Sequence, residues 1–440
     1  MFAPLKLLTK SAAGSRIWLI VTLIIVVCFA WEGQAQEEID ILESLAPSLV
    51  ITDPDSVPPP MPIVDEGEYD IVHILLLGSD TANPLNAGRT DVMVILSVNR
   101  TANTVSMLSL PRDLYVYIPG ERVYRLNSAY GFGEQRDIGG AALLKQTIAY
   151  NLGLTIDHYA RVDFSDFRAI VDALGGIDIA VDCTIEDWRL TTPDLDPTIE
   201  ANWEMFMLPV GVHMMDGDLA LWYARSRRTT SDFDRGRRHQ ALLRALWRRI
   251  NDLGLTGQVA ELWTQVVGAV ETDMSLQDMI SLLPVAAALD SAHIRSYTLR
   301  PNHEVRSWLS PEGSSVLVPE RAALQRLEET MMQPPSQRQF VSESPRVLIV
   351  NASGFGALSR VAADRLAWEG FAPIIADESA PYQDRTTMTD YTGRTKGSSL
   401  SLLQRALRID EGRTTLEPMA EREVDFRIVL GGQYSACTYG

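Results

Sequence analysis

The stretch HILLLGSDTANPLNAGRTDVMVILSV, residues 73–98, decides the fold. An apolar run from Ile71 to Leu77 ends at a glycine, and a second β-rich run extends from Val92 to Val98. A third run, Thr104 to Leu110, follows a turn-like segment at residues 99–103, so we expect a hairpin here. The sequence therefore predicts that the folded part of the chain begins as a sheet.

Strand and helix patterns alternate after this hairpin. The predicted strands are Tyr159–Val162, Ile177–Val181 and Ile294–Leu299. The predicted helices are Ile138–Leu152, Phe164–Leu174, one beginning at Asp216–Tyr223, Arg238–Asn251, Val259–Val270 and Leu276–Ala288. Residues 187–207 carry two prolines and are predicted to be an irregular surface loop. This alternation predicts an α/β (α+β) sandwich, a mixed central sheet flanked by helices.

The N-terminal segment has the pattern of an export signal. Lys6, Lys10 and Arg16 precede an apolar run at residues 17–31, close to the lower limit of about 17 residues for a membrane span. We expect a retained single-pass anchor with the N terminus inside the cell and the bulk of the chain extracytoplasmic. A signal peptide cleaved at residues 33–35 is the alternative, and both interpretations export the remainder.

Two linkers separate the predicted folded units. Residues 1–35 form the cytoplasmic tail and transmembrane anchor, and residues 36–70 are an acidic, proline-rich linker. The main domain is predicted at 71–330, a second linker at 331–345, and a small α/β domain at 346–440. In the small domain we predict strands Arg346–Asn351, Ala372–Ala376 and Phe426–Leu430 and a helix Leu358–Glu369.

Charge and cysteine content exclude several classes of protein. The chain has 39 Lys+Arg against 57 Asp+Glu, a net charge of −18, which disfavours a general nucleic-acid partner. Its 3 cysteines lack the spacing of a structural zinc site. We expect Cys183 and Cys437 to be unpaired thiols, with a disulfide as the alternative in an oxidising compartment.

Arginines concentrate locally against this acidic background. Nine of them stand between Arg225 and Arg249 with only Asp232 and Asp234 as counter-charges and without lysine. Arginine presents a planar fork of donors that fits phosphate oxygens, so this choice favours an anionic ligand. Taken singly, each arginine also fits a surface ion pair. We assign residues 244, 248 and 249 to a solvated face or to membrane headgroups.

Carboxylates stand beside the arginines at predicted strand ends. Asp80 and Asp91 are hard oxygen ligands that suit Mg²⁺, with phosphate oxygens completing the coordination shell. Arg89 lies two residues before Asp91, and Arg112 follows a strand. The spacing of three between Asp232, Arg235 and Arg238 indicates one face of a helical start. We interpret His239 as a neutral hydrogen-bonding residue, and Asn127 either as orienting a ligand or as holding a turn.

No Gly-x-Ser-x-Gly turn and no P-loop pattern is present, which disfavours a covalent serine mechanism and an NTPase. At the charged residues the sequence resembles the LytR-CpsA-Psr family of cell-wall ligases, over roughly residues 71 to 330. The motifs that carry the resemblance are LLLGSD, GRTD, SLPRD, LNSAY, DHYARVDF, VDALGGIDI, LPVGVHMMDGDLALWYARSR and DFDRGRRHQ. Two positions depart from the family pattern, His239 in place of glutamine and Asp234 in place of glycine. Residues 346–440 are similar to the smaller LytR C-terminal domain.

The resemblance implies a membrane-anchored phosphotransferase. Its donor would be a polyprenyl-pyrophosphate-linked glycan and its acceptor peptidoglycan, with Mg²⁺ as cofactor and membrane lipid as a further partner. It implies Mg²⁺ on Asp80 and Asp91 and a clamp on the pyrophosphate. The clamp residues would be Arg89, Arg112, Arg225 and Arg227, supported by Arg235, Arg238, Gln240 and Asn127. Asp232 would orient an arginine or accept the hydroxyl proton.

Three other functions remain open from the sequence. A polyprenyl-pyrophosphate hydrolase would use the same site with water as acceptor. A non-enzymatic lipid- or wall-binding scaffold would bind without metal dependence. A DNA-binding regulator built on the arginine-rich helix is disfavoured by the export signal and the net charge of −18.

Overall fold

The computed structural model describes residues 53, 55–80, 90–192, 195–254, 268–289, 293–333, 344–393 and 399–437. No helix among these residues is long and apolar enough to cross a lipid bilayer. The apolar run at residues 17–31 and most of the predicted helix at 259–270 lie outside the described residues.

Strands and helices alternate along the described chain. The strands are β1 Ile71–Ser79, β2 Thr90–Asn99, β3 Thr104–Ser109, β4 Tyr115–Tyr117, β5 Val123–Arg125, β6 His158–Asp163, β7 Ile177–Val181, β8 Ile185–Leu190, β9 Trp203–Leu208, β10 Gly211–Met215, β11 Val270–Thr272, β12 Ile294–Thr298, β13 Val305–Leu309, β14 Ser315–Pro319, β15 Arg346–Asn351, β16 Ala372–Ile375, β17 Thr387–Asp390, β18 Thr414–Leu416 and β19 Phe426–Leu430. The helices are α1 Ser128–Gln135, α2 Gly140–Leu152, α3 Phe164–Ala173, α4 Gly217–Arg225, α5 Asp232–Asp252, α6 Leu276–Ala288, α7 Arg321–Met332, α8 Leu358–Trp368 and α9 Leu400–Leu407.

The largest sheet has six strands in the order β11–β6–β1–β2–β3–β12. β2 runs antiparallel to both β1 and β3, whereas β6 is parallel to β1 and β12 is parallel to β3. The predicted hairpin and the predicted mixed central sheet are therefore confirmed. Because β1, β3, β6 and β12 run in one direction, their carboxyl ends meet at one edge. Such edges are where open α/β sheets place their ligands.

Both faces of this sheet are covered by helices, because side chains alternate between the two faces of a strand. One face, which includes Leu75 and Ile95, packs against α1, α2 and α7. The other face, which includes Ile74 and Val94, packs against α5 and α6. The result is a three-layer arrangement that fixes α5 across the sheet.

Residues 187–207, predicted to be an irregular loop, contain most of an antiparallel hairpin of β8 and β9. The prediction was wrong because charged residues occupy facing positions of this hairpin, as in the ion pair of Arg189 with Glu204 at 3.0 Å. They interrupt the apolar alternation that marks a strand. Pro197 falls between the two strands, where a turn tolerates it.

Helix α5 begins at Asp232, before the predicted start at Arg238. Its N terminus is a capping box. The Ser231 Oγ accepts a hydrogen bond from the N–H of Asp234 at 3.2 Å, and the Asp234 Oδ2 accepts from the N–H of Ser231 at 2.8 Å. Asp234, which replaces the usual family glycine, therefore caps the helix, and the S-x-x-D pattern was a signal that sequence analysis overlooked.

The C-terminal residues form a second sheet in the order β16–β15–β19–β17–β18, with α8 and α9 packed on it. A disulfide joins Cys183 to Cys437, whose Cα atoms lie 4.5 Å apart across 254 residues of sequence. The expectation of unpaired thiols was wrong, because the C-terminal segment returns to the end of β7 and sequence separation does not reveal such a return.

Part of the predicted first linker packs against α2. The N–H of Met61 donates to the Tyr150 carbonyl at 2.8 Å, and the Tyr150 hydroxyl donates to the Pro58 carbonyl at 2.6 Å. Val64 joins the main hydrophobic core. The described end of this segment is therefore part of the folded unit.

Candidate functional site

Asp80 and Asp91 lie at one end of the β1–β2 pair. The register shifts there, because Gly78 pairs with Val92 and Ser79 pairs with Thr90, which leaves Asp91 as an extra residue on β2. Bulges of this kind re-aim a side chain at the rim of a sheet. Two carboxylates are thus presented at the edge where β1, β3, β6 and β12 end.

Each carboxylate is paired with an arginine from another element. Asp91 Oδ1 lies 3.0 Å from Arg112 Nη1, and Asp80 Oδ2 lies 3.5 Å from Arg225 Nη2. Burial lowers the pKa of Arg112, but the hydrogen bond to Asp91 and the neighbouring negative charges outweigh burial and raise it. The Arg225 guanidinium also stacks over the Phe164 ring at 4.8 Å, which supports its position at the end of α4.

Arg235 completes the cluster from the first turns of α5. It is 6% exposed and lies 3.1 Å from Asp232. Burial lowers the pKa of Arg235 to about 10; the charges of Arg227 and Arg112 act in the same direction, and Asp232 and Asp91 oppose them. Positive charges crowded around a buried arginine favour an anionic ligand, which would relieve their mutual repulsion.

One cleft between the start of α5 and the ends of β2, β3 and β12 holds part of this cluster, whereas the Asp80–Arg225 pair lies outside its lining. Its lining includes Asp91, Ser109, Arg112, Asp232, Phe233, Arg235 and His239. We refer to it as the arginine cleft. The N terminus of a long helix also favours negative charge, because its peptide dipoles align.

Gly236 sets the distance between α5 and the sheet. A Cβ at this position would lie 3.0 Å from the Cβ of Ser109, closer than ordinary contact. The Ser109 hydroxyl donates to the Gly236 carbonyl at 3.0 Å, and the Gln240 amide donates to Ser109 Oγ at 2.8 Å and to the Tyr297 carbonyl at 2.7 Å. Gln240 is fully buried and therefore anchors the helix instead of facing a ligand.

Arg238 faces away from the arginine cleft. It is 1% exposed and donates to the carbonyls of Tyr223 and Ser226 and, at 2.9 Å, to Thr230 Oγ1. A three-residue step falls about 60° short of a full helical turn, so Arg238 lies about 120° around the helix from Asp232. The structure therefore separates it from Asp232 and Arg235, with which the sequence spacing had grouped it.

His239 is neutral, as expected. Its Nε2 lies 3.1 Å from the Ala224 carbonyl, and because a carbonyl only accepts, Nε2 carries the proton. Burial lowers its pKa to about 3, with the charge of Arg235 adding to the effect. The imidazole N–H thus ties α4 to α5.

Arg227 and Asn127 lie at the margins of the cleft. The Arg227 side chain is exposed, and its backbone N–H donates to Asp187 Oδ2 at 2.6 Å. Asn127 is buried at the start of α1, and its backbone N–H donates to the Arg112 carbonyl at 3.2 Å. Arg89 lies outside the described residues.

Sequence analysis missed Arg161 on β6. Its guanidinium donates to Ser79 Oγ at 3.0 Å, to the Tyr130 hydroxyl at 2.7 Å and to Glu271 Oε2 at 2.7 Å. Ser79 precedes Asp80, so Arg161 fixes the end of β1. The DHYARVDF motif contains this arginine and was the sequence signal available for it, whereas no sequence signal pointed to its partner Glu271.

The arginines further along α5 are not on a solvated face. Arg244 is buried and donates to the Ile294 carbonyl at 2.6 Å. Arg248 pairs with Asp364 at 2.9 Å, and Arg249 donates to the Leu174 carbonyl at 2.8 Å. The expectation was wrong because these side chains bind neighbouring elements, which helix periodicity alone does not reveal.

The carboxylates fit a magnesium ion only together with a ligand. In the part of the chain that the structure describes, no group of three or more His, Cys, Asp and Glu side chains could hold a metal ion. Asp80 and Asp91 are oxygen donors at one strand end, and Mg²⁺ in phosphate-transfer sites commonly takes one or two carboxylates plus substrate phosphates and water. The donor chemistry is therefore compatible with the ion if a phosphate ligand supplies the remaining oxygens.

Comparison with known families identifies the family to which the chain belongs. The LytR_cpsA_psr family model matches residues 56–333, which is more than half of the chain. The chain belongs to the LytR-CpsA-Psr family. The match ends before β15, so the assignment of residues 346–440 to the smaller LytR C-terminal domain stays a prediction.

Among curated relatives, the polyisoprenyl-teichoic acid–peptidoglycan teichoic acid transferase TagU of Oceanobacillus iheyensis is 32% identical over 218 residues, 49% of this chain and 63% of the relative. The corresponding transferase TagT of Bacillus subtilis is 28% identical over 241 residues, 53% of this chain and 70% of the relative. The crystal structure of B. subtilis TagV superposes with a TM-score of 0.49 at 23% identity, covering 60% of this chain and 97% of that one. The chain thus spans less than two thirds of the first relative.

Proposed function

We propose that this protein transfers a glycopolymer from a polyprenyl-pyrophosphate carrier to peptidoglycan and forms a phosphodiester link. The observation that carries the proposal is the convergence of Arg112, Arg225 and Arg235 with Asp80 and Asp91 at one edge of the sheet. The names of the curated relatives, which are transferases acting between polyisoprenyl-linked teichoic acid and peptidoglycan, supply the substrate class.

The arginines would bind the pyrophosphate. Arg112 pairs with Asp91 and, through Nε, with Asp113 at 3.3 Å, and Arg225 pairs with Asp80. Both guanidinium groups retain further N–H donors for phosphate oxygens. Arg235 adds a buried charge, and Arg227 and Arg89 would complete the clamp from the margin. Preorganised cations of this kind stabilise the charge that spreads over the phosphoryl oxygens in the transition state.

Asp80 and Asp91 would hold Mg²⁺. A bound magnesium ion neutralises phosphate charge and polarises the phosphoryl group. The two carboxylates also keep Arg225 and Arg112 in place through their ion pairs, at 3.5 Å and 3.0 Å. Their removal would therefore affect the arginines as well as the metal.

The reaction is a displacement at the glycan-side phosphorus. A hydroxyl oxygen of peptidoglycan forms the new P–O bond, the bond from that phosphorus to the bridging oxygen breaks, and polyprenyl phosphate leaves. The hydroxyl proton is released to a base. Asp232 lies beside Arg235 at 3.1 Å, which supports a role in orienting that arginine and makes it the candidate base.

Three predicted ligand-binding residues take other roles in this proposal, and a fourth keeps its role. Arg238 and Gln240 are positioning residues, because they are buried and bonded to protein atoms. Asn127 supports the loop that carries Arg112. Arg227 keeps its place in the clamp, since its side chain is exposed and its charge reaches Arg235.

We further propose that the bulk of the chain is extracytoplasmic and held by a single membrane anchor. The basic flank and the apolar run at residues 17–31 support export. The Cys183–Cys437 disulfide supports an oxidising compartment.

The test is a transfer assay on the full chain with a synthetic prenyl-pyrophosphate glycan and peptidoglycan fragments, with Mg²⁺ or with a chelator. We expect a metal-dependent glycan–phosphate–peptidoglycan product, and its loss in Arg225→Ala and Arg89→Ala proteins that remain folded. Phosphorylated glycan released without coupling would instead identify a hydrolase. Lipid binding without turnover would identify a binding scaffold and contradict the proposal.

A further inference from the structure

A second charged cavity lies on the opposite side of α5. The residues of α5 that line the arginine cleft include Asp232, Arg235 and His239, whereas Arg237, Arg244 and Arg248 line the second cavity. At about 100° per residue these two sets lie on opposite faces of the helix. The other wall of the second cavity is α8 of the C-terminal sheet, so we call it the junction cavity. Its volume is about 70 Å³.

The junction cavity is a built part of the structure. Arg248 holds Asp364 with both terminal nitrogens, at 2.9 Å and 3.3 Å. The guanidinium groups of Arg237 and Arg244 stack over the Trp368 ring at 5.4 Å and 5.3 Å. The disulfide at Cys183, next to a residue that lines the cavity, ties the same two parts of the chain together.

Positive charge exceeds negative charge around this cavity. Five arginines line it, against two aspartates, Asp182 and Asp364. Asp364 is already shared between Arg248 and Arg360, which lies 3.5 Å away. Burial raises the pKa of Asp182 in spite of the neighbouring Arg237 and Arg365. Glu369, outside the lining, pairs with Arg365 at 3.0 Å. The two aspartates inside the cavity do not balance its four other arginines.

Buried donors around the cavity also lack acceptors. Arg244 Nε, Trp247 Nε1 and Arg365 Nε are buried and have no hydrogen-bond partner among the described residues. All three side chains line the cavity, and Arg244 is 8% exposed. A buried donor without an acceptor is destabilising, so such groups call for an explanation. All of them are donors, so a group that supplied acceptors and negative charge would complement this wall of the cavity.

We infer that the junction cavity is a binding site for a phosphate-type oxyanion, separate from the arginine cleft. A tetrahedral oxyanion offers several acceptor oxygens and fits arginine forks and an indole N–H. Two sources share this chemistry, free inorganic phosphate and the phosphodiester of an anionic wall polymer. Because α5 carries both sites on opposite faces, an anion here would brace the helix that holds Arg235.

The test measures binding of inorganic phosphate to the full-length chain by isothermal titration at constant ionic strength, in the presence of a chelator. Trp247→Phe removes one N–H donor and keeps the charges, and we expect its Kd to rise about tenfold. Arg365→Met removes a donor and a charge, and we expect at least the same loss. The matched control is Arg405→Met, an exposed arginine of α9 outside the cavity, which should bind like the wild type.

The variants also separate this inference from the proposed transferase function. Arg225→Met alters the proposed pyrophosphate clamp through its pair with Asp80, and phosphate binding at the junction cavity should survive it. If phosphate binding is lost in Arg225→Met and unchanged in Trp247→Phe and Arg365→Met, or if no phosphate binds, the inference is wrong. Titration with a soluble poly(glycerol phosphate) oligomer distinguishes the sources. Tighter binding of the oligomer that depends on Trp247 identifies the polymer, and equal or weaker binding identifies free phosphate.

Discussion

Arg225 and Arg238 differ in burial and in partners, and this difference predicts that the same substitution destabilises the fold at only one of them. The Arg225 side chain is 54% exposed and is held by an ion pair of 3.5 Å and by stacking on Phe164. Exposed pairs contribute about 0–1 kcal/mol, so Arg225→Met should change the free energy of unfolding by less than about 1 kcal/mol. Loss of one preorganised donor to the reacting phosphate should slow transfer by about 10²–10³-fold.

Arg238→Met should act on folding. The side chain is 1% exposed and donates to two carbonyls and to Thr230 Oγ1. Charged hydrogen bonds contribute about 1.5–3 kcal/mol each and are not additive, so we expect a loss of about 3–5 kcal/mol of stability. Transfer would fall as well, because Tyr223 and Ser226 flank Arg225.

Urea denaturation and single-turnover transfer, measured on both variants, separate the two roles. The control is Arg228→Met in the same segment, because its exposed side chain pairs with Glu186 at 2.5 Å, away from the cleft lining. We expect wild-type transfer from it. The reasoning is refuted if Arg225→Met destabilises the fold as much as Arg238→Met, or if it transfers at the wild-type rate.

Three further predictions follow from individual contacts. Gly236→Val forces α5 away from Ser109 and should lower the stability of the fold by about 1–3 kcal/mol. It should also lower the transfer rate more than Gly236→Ala does, and equal transfer rates in the two variants would contradict this. The pKa of His239 is about 3 in the folded chain, so below its ordinary pKa of about 6.5 the unfolded chain binds more protons than the folded chain. The contribution of His239 to the free energy of unfolding is therefore full above that pH and falls by up to about 1.4 kcal/mol per pH unit as the pH drops. Between pH 6.5 and 5.5 this loss amounts to about 1 kcal/mol, because the unfolded imidazole is already half protonated at pH 6.5. Urea midpoints at these two pH values should show this loss in the wild type and a smaller loss in His239→Gln. Cys183→Ser should lower stability by about 2–5 kcal/mol in the absence of reductant, and the difference should vanish when reductant is added to the wild type.

The sheet could be predicted from sequence because its signals are local. The runs at Ile71–Leu77, Val92–Val98 and Thr104–Leu110 are apolar and bounded by turn residues, and each became a strand within two residues of its predicted ends. The β8–β9 hairpin was not predicted, because its strands carry charges in facing positions. Apolar periodicity placed the start of α5 too late, at Arg238, because the first turn of the helix is polar. The spacing of Asp232, Arg235 and Arg238 and the capping box at Ser231 and Asp234 were the signals of the earlier start.

The residues of the arginine cleft were predictable as a set, whereas their individual roles were not. The residue types alone indicate the chemistry, because arginines without lysines beside aspartates favour an anion site wherever the fold brings these residues together. Which arginine faces the ligand depends on the angle around α5 and on what packs there. Arg235 points to the strand ends, Arg238 to the end of α4, and Arg244 to the junction cavity. The sequence presents all three as equivalent cations on one helix, and only the elements packed against α5 distinguish the arginine that lines the cleft, the arginine that donates to carbonyls of α4 and the arginine that lines the junction cavity.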